Sequence, residues 1–176
     1  MKKNILIFGS ISGLIVSSMA ITMAIKCVNN EDFSGNMLLG YTFMLLAFSF
    51  VFVGIKNYRD KFNEGIITFN KAFKIGLLIT LVASTIYVLI WLITYYCFVP
   101  DFMDKYTAHV LREAAANNPS KVVMDEKIAE MANYKEMYKN PVLVVLFTYL
   151  EIFPIGLLIT IISALILKRK VNPKAS

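Results

Sequence analysis

Four long apolar runs, at 5–25, 37–55, 75–99 and 142–167, leave few folds open to this chain. A helix rises about 1.5 Å per residue and a bilayer's hydrocarbon core is about 30 Å thick, so ~20 apolar residues cross it. The first two runs fit that span. The last two are longer and should tilt or project beyond the lipid. Lipid offers no hydrogen bonds to an open backbone, so each run predicts a helix. The expected fold is an all-α membrane protein with four transmembrane helices, read over 1–176 as one membrane domain. Composition agrees: 57% of residues are hydrophobic and 17% charged, against roughly 45–50% and about 25% in soluble domains. The opening "MKKN" is reminiscent of a signal peptide, but its apolar stretch outruns the usual core of about 7–15 residues. It is read as a retained span.

Lys and Arg set the expected direction of threading. Lys2 and Lys3 precede the first run. The loop 56–74 carries Lys56, Arg59, Lys61, Lys71 and Lys74 against Asp60 and Glu64. Lys168, Arg169, Lys170 and Lys174 follow the last run. The remaining two connections are nearly neutral: one sets Lys26 against Glu31 and Asp32, and the other is 100–141. Both termini are therefore expected in the cytoplasm, with the two neutral connections outside. The net charge of +6 lies beside apolar runs and not on one stripe, so no nucleic acid is expected as a partner.

The segment 100–141 is bracketed by Pro100 and Pro141 and divided by "NNPS" at 117–120. Phe102, Tyr106, Val110 and Ala114 recur every four residues, while Met124, Ile128, Met131, Tyr134 and Tyr138 alternate four and three. Both patterns predict amphipathic helices. Pro100 and Pro141 suit the first turn of a helix, and Ser120 suits an N-cap. The expected form is an extracytoplasmic helical hairpin between helices 3 and 4. It serves either as a docking or ligand-binding head, or as a lid packed on itself and the outer ends of the bundle. His109 is read as a surface residue of this hairpin. Cys27 and Cys97 fall at the outer ends of the first and third runs, where a disulfide is chemically possible, and are read as two membrane-embedded free thiols. Two cysteines and one histidine, scattered, make a poor ligand set, so neither a metal nor a cofactor is expected.

In the loop 56–74, "NEG" at 63–65 marks a turn. Phe69, Ala72 and Phe73 then interleave with Lys71 and Lys74, predicting a short basic, aromatic helix at the membrane interface. Arg59, Lys71 and Lys74 are candidate contacts for anionic lipid or phosphate, or else only supply the inward positive bias. At this point the chain resembles the DUF4199 family of small bacterial membrane proteins. The resemblance rests on "GIKNYRD", "IITF", "NKAFKIGLLITL", "VPDFMDKY", "MYKNP" and "FTYLEIFPIGLLITIISALILKRK", and extends from Ser10 to Lys170. It implies a multi-pass protein of a Gram-negative inner membrane and brings no assigned activity.

Glu151 and Pro154 interrupt the last run. Glu151 lies at most ~14 Å along the helix from its outer end, where an ionised carboxylate costs a few kcal/mol unless paired, hydrated or protonated. Tyr87, Trp91 and Thr94 of the third run and Ser18 and Thr22 of the first are expected at matching depth, with Lys26 able to reach inward. Pro154 removes a backbone donor opposite the Leu150 carbonyl and should kink the helix there. Glu151, Pro154, Tyr87, Trp91, Ser18 and Thr22 form the candidate intramembrane polar site, which either carries a proton, binds a cation or gates a cavity, or simply clamps helices together. Gly9, Gly13 and Ser17, and likewise Gly156, Thr160 and Ala164, repeat small residues every fourth position, as close helix packing requires. No catalytic constellation is visible, so the protein is not expected to be an enzyme. The leading expectation is an accessory or scaffolding membrane protein that contacts lipids and a protein partner through the outer hairpin or inner loop. The alternative is a small transporter or lipid-handling protein using Glu151 in an intramembrane cavity. Oligomeric state is not legible.

Overall fold

The computed structural model describes residues 1–29 and 37–169; the neutral connection with Glu31 and Asp32, and Lys170 and Lys174 of the basic tail, lie outside them. Six α-helices follow in order: α1 (Lys2–Val28), α2 (Met37–Phe62), α3 (Phe69–Ile93), α4 (Phe102–Ala116), α5 (Lys121–Met137) and α6 (Pro141–Leu167). A π-helical turn, Thr94–Phe98, prolongs α3. Four helices are long and apolar enough to cross a membrane: α1, α2 from Gly40, α3 with its π turn, and α6. They pack in the circular order α1, α3, α6, α2, and α2 also touches α3 across the centre.

The bundle buries small polar side chains alongside its apolar core and turns large apolar ones outward. Asn4, Ser12, Ser17, Thr80, Ser84, Thr148, Thr160 and Ser163 are buried, while Leu6, Leu14, Leu45, Leu89, Leu158 and Ile166 are exposed. Lipid rewards an apolar exterior and gives helices no hydrophobic reason to associate, so small residues and hydrogen bonds must hold them. Gly9 and Gly13 bring α1 onto Val82, Ala83 and Ile86 of α3, and Gly156 brings α6 onto Thr80 and Phe48. Both small-residue stripes therefore work inside one bundle. Ser12 donates to the Ala47 carbonyl at 2.7 Å, Asn4 to the Gly54 carbonyl at 2.9 Å, and Asn57 to Asn4 Oδ1 at 2.6 Å, tying α1 to α2. The Thr80 and Thr160 hydroxyls lie 3.0 Å apart between α3 and α6. Such bonds contribute about 0.6 kcal/mol each, up to ~2.

The start of α1, the end of α6 and the α2–α3 loop share one end of the bundle. The "NEG" turn forms as expected, with Glu64 at φ 52° and Gly65 at φ 75°. Thr68 then caps α3, its side chain accepting from the Lys71 N–H at 3.4 Å. No separate interfacial helix forms: α3 runs on from Phe69 because Ala72 and Ile75 are both fully buried and nothing breaks the helix between them. Beyond α6, Ile67 and Arg169 exchange backbone hydrogen bonds at 3.2 and 2.8 Å, clasping the loop to the end of the chain's last helix.

At the opposite end, α4 and α5 pair with each other, and α4 leans on α1. Ser120 caps α5 through the Val123 N–H, and Asn140 caps α6 with Pro141 in its first turn. Pro100 does not start a helix. It follows Val99, whose carbonyl accepts from the Phe102 N–H at 2.9 Å, so it occupies the second position of a turn, which its fixed φ also suits. Only Met103 of α4 and Met131 of α5 are buried. The hairpin thus covers the bundle lightly, in the manner of a lid.

Candidate cavity beneath the helical hairpin

Between the hairpin and the bundle lies a partly open cavity of about 610 Å³, within the usual range of about 300–1,000 Å³ for ligand pockets. Helix α1 supplies one wall through Val16, Met19, Ala20 and Met23, residues spaced to share one face. Met44 adds to it from α2. Tyr87 and Trp91 of α3 and Phe147 and Glu151 of α6 form the facing wall, each pair four residues apart. The roof comes from Phe102, Met103, Tyr106 and Val110 of α4, with Lys127, Glu130, Met131 and Tyr134 of α5 and Tyr138 beyond it.

Phe102, Tyr106 and Val110 of one expected stripe and Met131, Tyr134 and Tyr138 of the other line this space, whereas Ala114, Met124 and Ile128 lie outside it. The π turn contributes by inserting one extra residue. Val99 N–H reaches the Thr94 carbonyl at 2.9 Å, and Tyr95 is buried while Tyr96, Cys97 and Phe98 are exposed. Aromatic rings then run without a break from the bundle into the lid. Trp91 meets Phe102 edge-on with centroids 5.2 Å apart, Phe102 stacks on Tyr106 at 5.7 Å, and Tyr95 meets Tyr138 at 5.6 Å.

Glu151 is exposed and lines the cavity, flanked along α6 by the buried Thr148 and Ile152. Thr148 is occupied with the Val144 carbonyl at 2.7 Å. The Tyr87 hydroxyl lies beside the Glu151 carboxyl on the same wall. Tyr138, just before α6, is near enough to feel that charge: burial first, and Glu151 second, push its phenol up to about 12. Burial likewise raises Tyr106, with the Lys127 charge opposing. Lys127 is the cavity's one Lys or Arg among the described residues, and it is already paired with Glu130 at 2.7 Å. That hydrogen bond holds the Lys127 ammonium above its ordinary value.

The structure brings together Glu151, Tyr87 and Trp91 of the expected polar site. Ser18 and Thr22 do not join them. Their hydroxyls turn back onto the Ile15 and Ser18 carbonyls of their own helix, at 2.7 and 2.8 Å. Thr94 does the same with Ile90, at 2.8 Å. Pro154 sits on an exposed face one turn from Glu151, within a helix assigned without interruption from Pro141 to Leu167. Lys127, Glu130, Tyr106 and Tyr138 were not singled out for this site from sequence, although Tyr106 and Tyr138 stood in the predicted stripes. His109 pairs with Glu113 at 3.8 Å on α4. Cys27 and Cys97 are both free thiols, one buried and one exposed.

The basic residues of the α2–α3 loop have internal engagements. Arg59 is 7% exposed; it bonds Asp60 at 2.6 Å and donates to the Leu167 carbonyl at 3.4 Å, at the end of α6. Lys71 donates to Asn63 Oδ1 at 2.6 Å and stands 5.3 Å from the Tyr58 ring centre. Lys74 is exposed.

A family model described as "Protein of unknown function (DUF4199)" matches residues 7–169. No curated protein and no solved structure matches the chain.

Proposed function

We propose that this chain, which belongs to the DUF4199 family of proteins of unknown function, binds an amphiphilic molecule in the cavity beneath its hairpin. The cavity itself carries the reading. It is large enough for a headgroup and part of a tail, apolar and methionine-rich on the α1–α2 side, and polar at Glu151 and Tyr87. Flexible Met side chains adapt to varied apolar shapes, and an accessible carboxylate at span depth is a functional candidate by default. The work is lipid handling or small-molecule transport, not chemistry. Positive residues beside the chain termini support an inner-membrane orientation with both termini in the cytoplasm and the hairpin outside. The ligand then arrives from the outer leaflet, past a lid that two buried methionines anchor.

The test is native mass spectrometry of the protein released from mild detergent, compared with Ala20→Phe. That substitution fills the apolar wall. Retained lipid-sized adducts on the native chain, lost in the variant, support the proposal; identical adduct patterns overturn it.

A second reading, an accessory or scaffolding protein, draws on Val122, Val123 and Ile128 of α5, which are 67, 53 and 45% exposed. In that case substituting all three by Ser abolishes capture of a specific envelope protein and leaves the adducts unchanged.

A further inference from the structure

We infer that the headgroup seated at Glu151 is an organic cation, an amine or quaternary ammonium carrying an alkyl tail, held between the carboxylate and the rings of Tyr87, Trp91 and Tyr138. This rests on the cavity being a binding site and adds the chemistry of its ligand.

The charges lining the cavity do not cancel. Lys127 and Glu130 neutralise each other at 2.7 Å near the lid. Glu151 has a tyrosine hydroxyl but no cation among the described residues that line the cavity. A carboxylate without a fixed counter-charge on a cavity wall attracts a positive partner, the more strongly where apolar neighbours keep water back. An anionic headgroup would meet repulsion there.

Aromatic side chains strengthen the case for a cation over a bare proton. Tyr87 lies one helical turn from Trp91 on α3, and Tyr138 comes to Glu151 from the lid side. Ring faces attract ammonium groups, and quaternary ammonium recognition is their best-known use. A protein needing only to neutralise Glu151 has no need to surround it with rings. Met19, Met23 and Met44 then face the tail.

Trp91 is the chain's single tryptophan, so its fluorescence reports the cavity directly. The full chain in dodecyl maltoside micelles, which carry no charged headgroup, is titrated with decyltrimethylammonium, decanol and decyl sulfate, which share a tail and differ in charge. The ammonium should produce a saturable change at concentrations at least about tenfold below decanol, and the sulfate none. Glu151→Gln should abolish that preference while decanol still gives a saturable response, which also certifies that the variant's cavity is intact. Tyr87→Phe keeps the ring and should retain the preference for the cation. Equal affinity for ammonium and decanol in the native chain, or a sulfate that binds best, overturns the cation while the cavity reading stands. Undiminished ammonium preference in Glu151→Gln does the same. Absence of a saturable response to all three overturns both.

Discussion

Replacing Gly156 by Ala adds one methyl group where α6 meets α3 and α2. Its Cβ would stand 2.5 Å from Thr80 Cγ2 and 2.7 and 2.8 Å from two atoms of the Phe48 ring. Neither neighbour has room to retreat, since Thr80 and Phe48 are both fully buried. The helices must separate, and overpacking of this kind costs about 1–3 kcal/mol. Separation also loosens Thr80, whose hydroxyl donates to the Gly156 carbonyl at 3.3 Å and meets Thr160 at 3.0 Å; that adds about 0.6 kcal/mol. Against this stands the better helix propensity of Ala, worth up to about 1 kcal/mol. The net expectation is a loss of about 1–3 kcal/mol. Gly40→Ala is the internal control, because nothing lies within 4 Å of its added Cβ. The same propensity gain should leave that variant as stable as the native chain or up to about 1 kcal/mol more so. Unfolding of micelle-bound protein by added dodecyl sulfate, followed by circular dichroism, ranks the three. If Gly156→Ala matches or exceeds Gly40→Ala, the described helix packing is wrong.

Arg59→Met removes the guanidinium from the Leu167 carbonyl and from Asp60. Hydrogen exchange at the Ile67 and Arg169 amides should accelerate, with the hairpin end of the bundle unaffected. Asn4→Leu deletes the bonds to Gly54 and Asn57, leaving the Asn57 amide without its partner, and should destabilise by about 1–3 kcal/mol in the same dodecyl sulfate titration. Tyr138 should titrate late. The absorbance difference at the phenolate band between native chain and Tyr138→Phe should develop near pH 12, well above the ordinary value of about 10. Because the folded value is the raised one, the stability Tyr138 contributes is whole below about pH 10 and is lost as pH climbs through 12. The difference developing near pH 10 would show that Tyr138 is not buried against the cavity.

The membrane-crossing helices were legible because lipid imposes a length and a composition on any segment that crosses it. The residue pairs Gly9 and Gly13, and Gly156 and Thr160, were legible too, since close approach demands small side chains at one spacing. Glu151 stood out as a charge in an apolar run, and its neighbour Tyr87 followed from matching depth. Ser18 and Thr22 shared that depth but satisfied themselves on their own backbone, an option open to any helical Ser or Thr. The roof of the cavity was the least visible part. Phe102, Tyr106, Met131 and Tyr138 were predicted as helix faces, but periodicity says which residues share a face and not what that face covers. Lys127 and Glu130 were not singled out, because their three-residue spacing is common on helices and says nothing of what the helix covers. The interfacial helix expected at 69–74 failed for a related reason: its apolar residues, Ala72 among them, pack into the bundle core and merge it with α3.

Everything functional here depends on Glu151 opening to a cavity reached from the hairpin side. Glu151→Cys, in a chain with Cys27 and Cys97 replaced by Ser, puts a thiol at that point. A small membrane-impermeant cationic thiosulfonate added outside intact cells should label it, and Leu158→Cys, two turns deeper on an exposed face of α6, should remain unlabelled. Labelling of neither position, or of Glu151→Cys only after the cytoplasmic side is opened, would contradict the cavity and its orientation together.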